Sequence, residues 1–215
     1  YPTLPEGERE ADAVEGLQTL LATLGRRIAF SLDSTASHAR HTLTHEKPRF
    51  AFFQMFQPRA GGKREAPTFK AIAPGVVEHE QEVALAVGVE PSDDKKLPLR
   101  VGVAAAEYGL PINPSTLLNL KHCPVTDKSW DHETRELFIR FLATGQALPP
   151  VWEELDFVDL PGRWMPEWLG VRNRPSASAA HRYTIDRHMI EVVSRLGREA
   201  PSGMRYDDTQ YATLL

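Results

Sequence analysis

The run EHEQEVALAVGV, residues 78–89, alternates between apolar and polar or small side chains and constrains the fold more than any other segment. Successive side chains of a β-strand point to opposite faces. One face of an extended chain would therefore carry Val83, Leu85, Val87 and Val89. The other face would carry the acidic residues Glu78, Glu80 and Glu82. The alternation predicts a strand with one buried face over residues 78–89.

Two further segments have apolar residues at helical spacing. Leu17, Leu21 and Leu24 belong to such a series and predict a helix over residues 8–24 that ends before Gly25. The run 184–197 predicts a second helix, capped by Thr184 and ended by Gly197. Strands are expected at 26–32 and 49–56, another apolar segment begins at 97, and 130–142 fits a helix or a strand. This order predicts an α+β domain.

Composition is that of an ordinary globular domain. The chain has 215 residues and a net charge of -4, which provides no overall attraction to nucleic acid or anionic lipid. A single cysteine, Cys123, excludes an internal disulfide and fits a reducing compartment. Because the first residue is Tyr1 rather than Met, we expect a removed targeting segment or a trimmed chain.

Several short motifs resemble the fumarylacetoacetate hydrolase family in the same order along the chain. HEQEVALAVG is similar to the family's H-E-x-E strand, and GRRIAFSLDSTASHAR to its opening strand, loop and lid helix. LRVGVAAAE resembles the strand that supplies a third metal ligand, and LLNLKHCPV the segment with the active-site lysine. The resemblance implies a mixed β-roll of the fumarylacetoacetate hydrolase type with flanking helices and an N-terminal helix.

The resemblance also assigns roles to particular residues. Glu80, Glu82 and Glu107 would hold a divalent metal, Mg or Mn, because carboxylate oxygens suit such ions. His38 and Lys121 would stand at the catalytic positions. In the family this site cleaves or decarboxylates small keto acids, with the metal acting as a Lewis acid.

Departures from the family pattern imply that this chemistry is lost. Glu107 stands where the family has aspartate, and His41 replaces the glutamate that orients the lid histidine. The arginine and the Thr-Gly substrate loop have no counterpart. We therefore expect a vestigial site with no cofactor, in a catalytically degenerate accessory subunit of a mitochondrial assembly such as respiratory complex I. Its partners would be other subunits, with no membrane span of its own, and nucleic acid is not expected.

The expected organisation is an N-terminal helical extension, 1–24, followed by one domain, 25–215. Residues 145–180, rich in Pro, Gly and Trp, are expected to form an irregular docking insertion, with core packing as the alternative for the tryptophans.

Three other interpretations stay open. The site could be active as a metal-dependent acylpyruvate hydrolase or oxaloacetate decarboxylase. Basic loops that include Lys63, Arg64 and Arg172 could contact RNA in an organellar ribonucleoprotein. His38, His41 and His45 share one face of a helix and could bind zinc, although a solvated polar face explains them more simply.

Overall fold

The computed structural model describes residues 6–45, 69–125, 130–176 and 183–199. Its α-helices are α1 (Glu6–His45), α2 (Leu97–Tyr108), α3 (Pro114–Asn119), α4 (His132–Leu142), α5 (Leu148–Phe157), α6 (Leu160–Trp164) and α7 (Ile185–Glu199). Short 3-10 helices lie at Pro91–Asp93, Leu120–His122, Gly145–Ala147 and Pro166–Gly170. The strands of these residues are β1 (Lys70–Ala73), β2 (Val76–His79) and β3 (Glu82–Leu85), and the segment 49–56 lies outside the description.

The first helix is longer than its sequence pattern predicts. The helix over 8–24 is confirmed, but it does not end at Gly25 and includes the expected strand at 26–32. Arg26 and Phe30, one helical turn apart, both contact the rest of the protein, which explains why the helix continues through them. The predicted boundary between residues 24 and 25 therefore falls inside one continuous helix.

The three strands form an antiparallel meander in the order β1-β2-β3. The single strand expected over 78–89 is instead a hairpin whose turn residues Glu80 and Gln81 have φ of 51° and 63°. Positive φ at both central residues is the mark of the type I′ turn, whose twist matches that of the two strands that it joins. On the free side of β3, the strand residue Val83 forms an isolated parallel bridge to Ile112. The reversal places Glu80 in the turn and Glu82 at the start of the returning strand.

Helix α2 lies at the centre of the core. The resemblance implied a strand here, but nine of the helix's twelve residues are buried in helical geometry. A continuous apolar run fits a buried helix as well as a buried strand, and Ala104–Ala106 favour the helix. At Gly102 an added Cβ would lie 3.0 Å from Leu155 Cδ1, so the small residue allows α5 to approach closely.

The expected irregular insertion is largely helical and forms part of the core. It contains α5 and α6, and Trp152, Trp164 and Trp168 are 2 %, 6 % and 5 % exposed. The Trp152 ring meets the rings of Trp164 and Trp168 edge to face at 6.4 Å and 5.1 Å. The tryptophans therefore follow the core-packing alternative.

The remaining helices follow local signals. Segment 130–142 is a helix because the Asp131 carboxylate accepts a hydrogen bond of 2.8 Å from the Thr134 backbone N–H. The helix predicted over 184–197 is confirmed as α7, with Gly197 inside it rather than at its end. In the ranges that the structure describes, none of the helices combines the length and the apolar character that a membrane span requires.

Candidate functional site

A cleft of about 490 Å³ lies between α1 and the rest of the protein. Helix α1 forms one wall, and the opposite wall comes from the end of the hairpin, α3, α5 and the turn at 171–173. Apolar side chains line much of it, among them Phe30, Ile112, Leu117 and Phe157. Phe30 and Phe157 stack with ring centroids 4.1 Å apart and close the cleft on one side. Eight of the twenty lining residues are charged, so the cleft combines apolar contact with charge.

A charged network joins α1 to the opposite wall. The Arg26 guanidinium donates hydrogen bonds of 2.6 Å to Asn173 Oδ1 and 2.6 Å to Asp186 Oδ2, and lies 3.5 Å from Glu153 Oε1. Asn173 is buried, and its amide also donates to Thr23 Oγ1 of α1 at 2.9 Å. Three separate parts of the chain therefore meet at one arginine.

Arg172 forms a second arginine cluster beside the first. Its Nε donates to Asp156 Oδ2 at 3.0 Å, and its guanidinium also pairs with Asp159. The Trp168 indole N–H donates to the other Asp156 oxygen at 2.8 Å. Burial raises the pKa of Asp156, and the neighbouring Arg172 and Trp168 oppose that shift. The cluster links the cleft to the tryptophan core.

Two glutamates stand on the hairpin side of the cleft. The Ile112 backbone N–H donates to Glu154 at 3.0 Å, and the Asn113 amide donates to Glu82 at 2.6 Å. Burial raises the pKa of Glu154 to about 7, and the negative charge of Glu82 adds to the shift, while the Ile112 N–H opposes it. Glu154 therefore changes charge near neutral pH, which is unusual for a carboxyl group.

The three glutamates predicted as metal ligands do not converge. Only Glu82 lines the cleft. Glu80 occupies the exposed hairpin turn, and Glu107 lies on α2, where both its oxygens accept hydrogen bonds from Arg140. Among the described residues no group of three or more His, Cys, Asp or Glu side chains could hold a metal ion. The expected triad required Glu80 and Glu82 on one strand face, and the turn separates them.

Of the two predicted catalytic residues, Lys121 does not line the cleft. Lys121 is exposed in the 3-10 helix Leu120–His122, and its carbonyl accepts a hydrogen bond from Arg163. His38 belongs to α1, but its side chain lies outside the described residues, as do those of His41 and His45. Of the basic residues proposed to contact RNA, Arg172 pairs with Asp156 and Asp159, and Lys63 and Arg64 lie outside the described residues.

Sequence reasoning selected Glu82 and Arg172 for other roles and missed the other residues that build the cleft. Arg26, Asn173 and Asp186 are brought together only by the tertiary fold, across up to 160 positions. Asp186 carried one local signal, an acidic side chain in the first turn of a predicted helix. Glu154 had no distinguishing sequence signal, since its environment comes from the 111–113 segment.

The most informative comparison is with bacterial enzymes. The chain is 35 % identical over 171 residues to a bifunctional uridylyltransferase/uridylyl-removing enzyme of Streptomyces coelicolor. It is 34 % identical over 175 residues to the protein of that name in Mycobacterium tuberculosis, and 32 % over 115 residues to that of Corynebacterium glutamicum. These matches cover 79 %, 80 % and 54 % of the chain but only 20 %, 22 % and 17 % of the relatives. The chain thus spans about a fifth of their length.

Neither a protein-family model nor a solved structure matches the chain significantly. The expected mixed β-roll therefore has no structural neighbour that supports it.

The comparisons correct the sequence-based identification. All these relatives are named as uridylyltransferase/uridylyl-removing enzymes, so the membership in the fumarylacetoacetate hydrolase family is wrong. The functions proposed from that membership are wrong as well. They were an accessory role in complex I, a retained hydrolase or decarboxylase activity, and an RNA-contacting role in an organelle. Since the relatives are bacterial and bacteria lack mitochondria, the mitochondrial localisation is also wrong. The family motifs were short, and the helical structure of residues 26–32 and 97–108 removes two of the strands on which they were placed.

Proposed function

We propose that this chain is a domain of a bacterial bifunctional uridylyltransferase/uridylyl-removing enzyme, and that the longer polypeptide both transfers and removes uridylyl groups. The observation that carries this proposal is the identity of about a third to the Streptomyces coelicolor relative over most of the chain. Relatives from two further genera with the same name support it.

Within such an enzyme the domain has a connecting role. Arg26 on α1 holds Asp186 on α7 and Asn173 in the preceding turn, so the first and last described helices keep a fixed relation to each other. Buried charged hydrogen bonds of this kind favour one arrangement over its alternatives, because every other arrangement leaves a buried charge unpaired. The domain would position other parts of the enzyme relative to one another.

A chimeric enzyme tests the proposal. The matched segment of the Streptomyces coelicolor relative is replaced by the 171 aligned residues of this chain. Labelled uridylyl groups transferred to the relative's acceptor measure the first activity, and label released from the uridylylated acceptor measures the second. We expect both rates to stay within about tenfold of the parent, which corresponds to a small change in activation free energy.

The matched control replaces the same segment with a flexible Gly-Ser linker and should lose both activities. A chimera that folds, as judged by circular dichroism and a monodisperse size-exclusion profile, yet has neither activity would contradict the proposal.

A further inference from the structure

The outer face of α1 carries a continuous apolar surface, the α1 stripe. Its members are aliphatic residues that are between 46 % and 65 % exposed: Val14, Leu17, Leu20, Leu21, Leu24, Ile28 and Leu32. Their spacing places them within an arc of about 120° at 3.6 residues per turn, along a length of about 27 Å. Single exposed leucines are ordinary on protein surfaces, but a contiguous patch of this size marks a contact surface.

The polarity of α1 is the reverse of that of a surface helix. A surface helix turns its apolar side to the core and its charged side to water. Between residues 14 and 32 the charged residues of α1 are Glu15, Arg26 and Arg27. Glu15 pairs with Arg174, Arg26 with Asp186, and Arg27 lines the cleft. Glu15 and Arg26 thus face the body of the protein, and Arg27 lies at the cleft. The aliphatic side chains keep about half of their surface exposed among the described residues.

Several contacts that α1 makes with the body are polar. Phe30 provides an aromatic contact with Phe157, and Thr23, Arg26 and Glu15 provide hydrogen bonds. Helices obtain most of their stability from the burial of an apolar face. The face of α1 that could provide this stability is the α1 stripe.

The α1 stripe does not have the pattern of a self-associating coiled coil. A two-stranded coiled coil has a narrow apolar seam flanked by charged residues that select the partner. Here Leu20 and Leu32 widen the apolar surface into the flanking positions, which otherwise hold Gln18, Gly25 and Arg27. A wide aliphatic face with Arg27 as the one charged residue along its borders between residues 14 and 32 suits a broad apolar surface of a folded neighbour.

We propose that the α1 stripe is the docking face for another part of the same polypeptide, an apolar surface formed by residues outside 1–215. This inference rests on the proposed function, because it takes the chain as a domain of a longer enzyme. The length of the relatives supports the choice of occupant, since about four-fifths of each relative lies outside the matched region. Docking at α1 and the Arg26 network on its other side would together fix the helix between two parts of the enzyme.

Site-specific photo-crosslinking in the full-length polypeptide identifies the occupant. Benzoylphenylalanine replaces Leu21 in one variant, and Ile28 in a second in case the first does not fold. The matched control carries the same group at Gln18, which is also exposed and lies one turn from Leu21. We expect both stripe variants to crosslink to peptides outside 1–215, with the electrophoretic mobility of a single chain, and the control to give little product.

A second measurement compares Leu21→Asp with Gln18→Asp by amide hydrogen exchange. If the α1 stripe is covered, Leu21→Asp should speed exchange in the peptides of α1 by at least about tenfold, because a charge is placed in an apolar contact. Gln18→Asp should leave exchange nearly unchanged.

Several results would overturn the inference. Crosslinks that join two polypeptides would assign the α1 stripe to a second copy, and crosslinks within 1–215 would assign it to this chain. Absence of crosslinks in both folded stripe variants, or equal exchange in the two Asp variants, would leave the stripe facing water. An inactive chimera together with crosslinks outside 1–215 would reject the proposed function and leave the docking face standing. An active chimera without such crosslinks would reject the docking face alone.

Discussion

The Arg26 guanidinium lies 2.6 Å from Asp186 Oδ2, although the two residues are 160 positions apart in the chain. The Asp186 side chain is 0 % exposed, while that of Arg26 keeps 29 % exposure. A carboxylate without access to water requires a cation or several hydrogen bonds, and its place in the first turn of α7 adds favourable interaction with the helix dipole. The second oxygen, Oδ1, has no hydrogen-bond partner among the described residues. Arg26 is therefore the main partner of a buried charge.

Removal of Arg26 should destabilise the protein strongly. We expect Arg26→Met to lower the free energy of unfolding by about 3 kcal/mol, because Asp186 would remain buried without a cation. Urea denaturation monitored by tryptophan fluorescence measures the change. The control Arg27→Met removes an exposed arginine from the same turn and should cost less than about 0.5 kcal/mol.

The double variant Arg26→Met with Asp186→Leu separates two contributions to the loss of stability. One is the loss of the ion pair, and the other is the cost of leaving the Asp186 charge buried without a partner. It should recover part of the loss, because no buried charge remains. Equal destabilisation by Arg26→Met and Arg27→Met would show that the contact between α1 and α7 does not hold the fold.

The two terminal helices could be predicted from the sequence because their signals are local. The 3.6-residue spacing of apolar residues identified 8–24 and 184–197, and both are helical. The predicted end at Gly25 is wrong because the apolar spacing continues through Ile28 and Leu32, and a glycine inside a helix does not by itself end it. For α2, apolar residues occur on all sides of the helix, so the sequence shows no helical or strand periodicity. The choice between helix and strand therefore depended on tertiary burial.

The candidate site was less predictable than the fold. Glu82 was selected as a metal ligand and does line the cleft, but no pattern in the sequence groups it with Glu154. That grouping arises because β3 pairs with the 111–113 segment, which places the Ile112 N–H against α5. Contacts between segments distant in sequence leave no pattern in a single chain, whereas helical spacing and caps do.

Glu154 should make stability depend on pH near neutrality. Burial raises its pKa in the folded protein to about 7 from an ordinary value of 4.5. Between these values the folded state binds more protons than the unfolded state, so stability should fall as pH rises from about 4.5 to 7. The contribution is at most about 3 kcal/mol.

The variant Glu154→Gln removes this titration and keeps an acceptor for the Ile112 N–H. It should be more stable than the natural protein at pH 8 and nearly equal to it at pH 5. Urea denaturation across this range measures the difference, and Glu136→Gln, at an exposed position of α4, serves as the control. A difference between Glu154→Gln and the natural protein that stays constant with pH would contradict the raised pKa.

The same substitution should have opposite effects at two glycines. At Gly197 an added Cβ would lie 3.2 Å from the Ala143 carbonyl oxygen and 3.2 Å from the Gly145 backbone nitrogen, and backbone atoms cannot move aside easily. Gly197→Ala should therefore destabilise by about 1–3 kcal/mol through overpacking of α7. At Gly16, inside α1, an added Cβ meets nothing within 4 Å. Gly16→Ala should stabilise by up to about 1 kcal/mol. Thermal unfolding compares the two, and shifts of the same sign would argue against the close approach at Gly197.

Cys123 should react only when the protein opens. The residue is 2 % exposed, and burial raises the pKa of its thiol to about 11. The thiolate is the reactive form. A pKa of about 11 instead of 9.0 lowers the fraction of thiolate near neutral pH by about a hundredfold, and burial hinders access of the reagent further. Alkylation by iodoacetamide at pH 8, followed by intact-protein mass spectrometry, should be at least about a hundredfold slower in buffer than in 6–8 M urea, conditions that expose the thiol.

The variant Arg163→Met tests the local origin of this protection, since Arg163 donates hydrogen bonds to the carbonyls of Lys121 and Cys123. It should speed alkylation because the backbone beside the thiol loses its anchor, and this gain in access outweighs the further rise in the thiol pKa that loss of the Arg163 charge causes. Equal rates in the natural protein and in Arg163→Met would place the protection in the surrounding core alone.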